Sequence, residues 1–82
     1  MESLDLARDY GNIGSMYDDM DKYEQVLQYY NKALDIDTEL NDRVGLALGY
    51  WRIASAFEKI NKNKDALEYY NKTLEINAYL LF

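Results

Sequence analysis

Leu6, Tyr10, Ile13, Gly14 and Tyr17 recur at steps of three and four, which places them on one face of a helix. Tyr23, Val26, Leu27, Tyr30 and Leu34 repeat the pattern in the next segment. A polar break at 19–22 separates the two runs, and there Asp21 can N-cap a helix with Glu24 three residues on. Further along, Asn61-Lys62-Asn63 forms a matching break, with Asn tolerated in the left-handed conformation that ends many helices. Asn41-Asp42 supplies both signals between the halves, a left-handed Asn followed by an N-capping Asp. The spacing predicts four helices, at roughly 3–20, 22–40, 42–60 and 63–80, folded as two antiparallel hairpins.

The two halves are copies. Gln28-Tyr29-Tyr30-Asn31-Lys32-Ala33-Leu34-Asp35-Ile36 returns forty residues later as Glu68-Tyr69-Tyr70-Asn71-Lys72-Thr73-Leu74-Glu75-Ile76. The same shift pairs residues 2–42 with 42–82 without gaps and gives identities at 14 of 41 positions. Leu6/Leu46, Ala7/Ala47, Tyr10/Tyr50, Ile13/Ile53 and Ser15/Ser55 are among them. Gly14/Ala54, Tyr17/Phe57 and Val26/Ala66 are conservative pairs. A period of this length marks a solenoid array, in which each unit buries its apolar face against a neighbour.

Composition narrows the function classes. The 82 residues make one small domain, residues 1–82, and 49% hydrophobic content is enough for a core. Fifteen acidic against nine basic residues give a net charge of −6, the wrong sign for nucleic acid or an anionic membrane surface. Cysteine and histidine are both absent, which excludes disulfides, thiol chemistry, zinc sites and histidine acid–base catalysis. No apolar run approaches the roughly 20 residues that span a bilayer. The first five residues lack the basic start and apolar stretch of a signal peptide. The chain reads as a soluble cytoplasmic module that needs no cofactor.

Local patterns add no chemistry. Asn61-Lys62-Asn63-Lys64-Asp65 imitates the start of a calcium-binding loop, but Ala66 stands at its glycine position and Lys72 at its bidentate glutamate. An inter-helix turn explains it. Asp18, Asp19 and Asp21 scatter over different helix faces and read as a solvated helix end. There is no nucleophile–base pairing, phosphate-cradling glycine loop or metal-spaced cluster, so the chain is not read as an enzyme.

Each unit resembles a tetratricopeptide repeat. Tyr10, Ile13, Gly14, Tyr17, Val26, Tyr30 and Ala33 carry the resemblance in unit 1, about 2–41. Tyr50, Ile53, Ala54, Phe57, Ala66, Tyr70 and Thr73 carry it in unit 2, about 42–82. Thr38 and Ala78 replace the usual terminal proline, and the period near 40 is similar to the longer repeats of kinesin light chains and bacterial Rap-type regulators. The implied fold is all-α, a solenoid fragment of two helical hairpins. Gly14 and Ala54 are expected where helices approach closely, with Tyr17 and Phe57 filling beside them. Tyr29 and Tyr69 are expected partly exposed on the convex side.

The resemblance also implies a protein or peptide partner, bound on a concave groove lined by the first helix of each hairpin. By position, the groove would show Arg8, Gly11, Asn12, Ser15 and Asp19 from unit 1. From unit 2 it would show Leu48, Trp51, Arg52, Ser55 and Lys59. Trp51 is the only tryptophan and is not needed by the core stripe, so it reads either as a hot-spot anchor beside Arg52 or as packing against a neighbouring helix or covering the array end. Gly11 and Ser15 stand where chaperone-tail-binding repeats carry Lys and Asn, so a two-carboxylate clamp is not met.

The ends pose a separate question. The chain finishes Ala78-Tyr79-Leu80-Leu81-Phe82, four large apolar residues where a polar cap is expected. Tyr79, Leu80, Leu81 and Phe82 are candidates for self-association, for folding back on the domain, or for contact with further repeats of a longer array. Residues 1–42 hold three basic and eleven acidic side chains, a net of −8; residues 43–82 hold six and four, a net of +2. That asymmetry suits homo-oligomers in which one chain's first unit meets another's second.

Overall fold

The computed structural model describes the backbone of residues 2–81 and the side-chain surroundings of residues 5–78. Four helices follow one another: α1 (Glu2–Asp19), α2 (Tyr23–Leu40), α3 (Arg43–Lys59) and α4 (Asn63–Leu81). α1 pairs with α2 and α3 with α4, while α2 and α3 join the hairpins. The fold is thus the expected all-α pair of hairpins, with helix ends within a residue or so of the spacing-derived bounds. Its extents are 33 × 29 × 15 Å.

The first three helices stop in the same way. Asp21, Asn41 and Asn61, twenty residues apart, adopt left-handed φ values of 59°, 52° and 63°. The amide of each left-handed residue donates to the carbonyl three residues back: Asp21 to Asp18 (3.0 Å), Asn41 to Thr38 (3.1 Å) and Asn61 to Glu58 (3.0 Å). The next amide reaches five back: Lys22 to Tyr17 (3.0 Å), Asp42 to Asp37 (2.9 Å) and Lys62 to Phe57 (2.9 Å). These paired bonds satisfy carbonyls that a helix end leaves orphaned. The expected role of Asp21 is corrected here. It closes α1 as the left-handed residue, and Lys22 is the N-cap position of α2, with no side-chain cap. Asp42 does cap α3, accepting from the Gly45 amide at 3.1 Å.

The core centres on the junction between hairpins. Val26 and Tyr30 from α2 meet Ile53 and Ala56 from α3, flanked by Tyr17, Leu27, Leu34, Phe57 and Tyr69. Gly14 is buried because a Cβ there would stand 2.6 Å from two carbons of the Tyr30 ring. Its counterpart Ala54 is fully buried. Tyr29 stacks on Tyr17 (5.6 Å between ring centroids) and tilts against Tyr10, with the Lys32 ammonium 5.3 Å from its ring. The second hairpin repeats this with Tyr69, Phe57, Tyr50 and Lys72. Tyr29 and Tyr69 are half-buried, as expected, yet they act as the packing link within each hairpin.

Candidate functional site

α1 and α3 lie side by side over Tyr30 of α2, and between them opens a cavity of about 490 Å³. Ser15 and Asp18 line it from α1; Leu48, Trp51, Arg52, Ser55 and Lys59 line it from α3. Six of the ten groove residues expected from the sequence are therefore brought together. Arg8 lies one step along, lining a neighbouring cavity of about 170 Å³ with Leu48, Arg52, Asp37 and Asp42. Arg8 is exposed and pairs with exposed Asp5 at 3.6 Å, a contact worth little in water. Asn12 and Asp19 are exposed and line neither cavity. Asp18 takes the place expected for Asp19.

The polar groups of the groove are largely tied to the scaffold. Ser15 shares a hydrogen bond with the Tyr30 hydroxyl (3.2 Å), and Ser55 shares one with the Tyr70 hydroxyl (3.1 Å). Tyr70 also donates to Glu58 at 2.8 Å. The unit 1 counterpart of Glu58 is Asp18, one methylene shorter, which instead accepts from the Lys59 ammonium at 2.9 Å. That bond holds the Lys59 pKa above its ordinary value. Asp18 Oδ1 is buried without a hydrogen-bond partner. Arg52 is half-buried, its guanidinium 5.8 Å from the Tyr30 ring centroid and set against Gly11, where a Cβ would collide with it. Gly11 is thus the space in which Arg52 lies.

Trp51 differs from these. Half of its surface is exposed, and it lines the groove on one side. On the other it borders a shelf of about 270 Å³ at the α3–α4 end, with Val44, Ala47, Leu48, Thr73 and Asn77. Within the described residues no neighbouring helix covers it.

Asp18, which reads from the sequence as a solvated helix end, and Tyr30, which reads only as a repeat-signature residue, both line the groove, and sequence reasoning missed Asp37. Asp37 is buried, and both burial and the nearby Asp42 carboxylate push its pKa up. Its counterpart Asn77 is uncharged, and that difference within the repeat was the available signal. Tyr79, Leu80, Leu81 and Phe82 lie outside the residues whose side chains are described.

Among the described residues no group of three or more acidic side chains is placed to hold a metal ion. Nor is any helix long and apolar enough to cross a membrane. No significant match is found among curated proteins or among solved structures. A family model for the tetratricopeptide repeat matches residues 5–78. That match spans both hairpins and all four helices, and the chain belongs to the tetratricopeptide repeat family.

Proposed function

We propose that this chain is a non-catalytic scaffold that captures a peptide or protein segment in the groove between α1 and α3. Repeats of this family generally mediate protein–protein interaction and typically form non-catalytic scaffolds. The observation that carries the reading is Trp51: a large aromatic side chain, half exposed, on the wall of a groove whose other polar groups are already fixed. Rigid, pre-ordered surroundings lower the entropic cost of binding, and an aromatic anchor beside an arginine is the composition of a hot spot. Arg52 and Lys59 supply N–H donors along the same wall, and Ser15 and Ser55 supply hydroxyls. Leu48 extends the apolar contact toward Arg8, and Asn12 borders the site from outside the cavity.

The test uses Trp51 as its own reporter, since it is the only tryptophan. Peptides selected from a displayed random library on the intact chain should shift Trp51 emission. Trp51→Ala should weaken their capture, measured by calorimetry, by about 30-fold, the size of a typical hot-spot truncation. Selected peptides that bind Trp51→Ala as tightly as the parent chain would place the binding site elsewhere.

A further inference from the structure

The two ends of the molecule carry the two halves of an interface that already exists inside it. At the internal junction, Ile53 and Ala56 of α3 are covered by α2, with Leu27 and Leu34 packed beside them. Shifting by forty residues turns the α2 side into Leu67 and Leu74 on α4, which are 61% and 65% exposed. The same shift turns the α3 side into Ile13 and Met16 on α1, which are 37% and 68% exposed. The shelf bordered by Val44, Ala47, Leu48, Trp51, Thr73 and Asn77 is the forty-residue counterpart of the seat that α3 occupies on α1 and α2.

We propose that a second copy of this chain fills that shelf, laying its α1 against α3 and α4 as α3 lies against α1 and α2. The halves differ in sign, with a net of −8 in residues 1–42 and +2 in residues 43–82, so head-to-tail contact brings unlike charge together. Close approach at the internal junction uses Gly45, next to the Asp37 carboxyl, and Gly49, next to a Leu34 methyl. The incoming α1 carries Asp5 and Asp9 at those places. Both would meet the tips of flexible side chains rather than backbone, and the counterpart of Asp37 is Asn77, whose amide can donate to Asp5. Two pairs oppose the contact. In one, the Asp9 carboxylate is set against the Leu74 side chain. Where Lys59 bonds Asp18 internally, Asp19 of the second copy faces Glu58. The association is therefore weak, and one substitution is placed to strengthen it. Because the contact is heterologous, it propagates beyond a dimer.

Sedimentation equilibrium from micromolar to millimolar protein reads this directly. The average mass should climb past twice the 9.7 kDa chain without stopping at a dimer. Asp19→Lys recreates the internal lysine–carboxylate pair and should tighten association roughly threefold, the worth of one exposed ion pair. Leu74→Glu, at an exposed position, should keep the helical circular dichroism and abolish the rise in mass. Mixing Ile13→Cys with Leu74→Cys chains under oxidising conditions should give a mixed disulfide dimer. A monomer at millimolar concentration, an unchanged constant for Asp19→Lys, or a mass that stops at a dimer would each overturn the proposal. None of these variants alters the groove wall, but Trp51 and Leu48 border both groove and shelf, so peptide capture is measured in dilute solution, where the chain is monomeric and the two readings succeed or fail separately.

Discussion

Asp37 carries an ionisable carboxyl where its counterpart in the second repeat, Asn77, is neutral. Its carboxyl is buried against Gly45 and near Asp42, and both effects disfavour its charged form. Because the folded-state pKa is raised, the folded chain binds more proton than the unfolded one between the ordinary carboxylate range and the raised value. Stability contributed by this group therefore falls as pH rises through that window, and the penalty is fully present above it. Asp37→Asn, which installs the residue found at position 77, should raise the urea midpoint at neutral pH. It should leave the midpoint unchanged at a pH low enough to protonate both states. An equal gain at both pH values would mean that the effect is packing and not charge. Lys59 illustrates the opposite balance. It is exposed and held by Asp18, so its raised pKa reports a local bond and little stability.

At the scale of the helix, termination is more regular than initiation. Three left-handed residues at 21, 41 and 61 set the helix length, and each is Asp or Asn, the non-glycine residues that tolerate this conformation best. Only the start of α3 among the cap contacts described uses a side chain, from Asp42. Asp21→Gly should stabilise the chain by roughly 0.5–1 kcal/mol, because glycine adopts a positive φ without the Cβ penalty. Asp42→Ala should cost about 1 kcal/mol, the usual value of an N-cap. Thermal unfolding followed by circular dichroism measures both. A loss of stability in Asp21→Gly would restore the capping role that its spacing from Glu24 suggests.

At the scale of the whole molecule, equivalence in the repeat does not mean equivalence in energy. Ile13 and Ile53 hold the same place in their hairpins, but Ile53 is 1% exposed under α2 and Ile13 is 37% exposed. Ile53→Ala should cost about 3 kcal/mol, the mid-range for truncating a fully buried aliphatic side chain. Ile13→Ala should cost less, about 1–2 kcal/mol, as expected for a side chain that keeps over a third of its surface in water. Urea unfolding of the two variants checks the contrast. Similar losses would mean that α1 is covered in solution, as head-to-tail stacking requires at high protein concentration, so the measurement belongs in dilute solution.

The forty-residue register, the four helices, the two hairpins and six of the ten residues expected along the groove were legible in the sequence. All of these follow from periodicity, and a helix of known period fixes which side chains share a face. The left-handed Asn41 and Asn61 and the Asp42 cap were legible for a similar reason, since each depends on residues a few places away. Only the tertiary structure decided the rest. Asp18 rather than Asp19 lines the groove, and there it meets Lys59, 41 residues away. The guanidinium of Arg52 lies over Gly11, and the Asp37 carboxyl packs against Gly45 of another helix. The exposure of Ile13, Leu67 and Leu74 depends on which neighbours a hairpin has. Such facts belong to pairs of distant residues, and no local pattern records them.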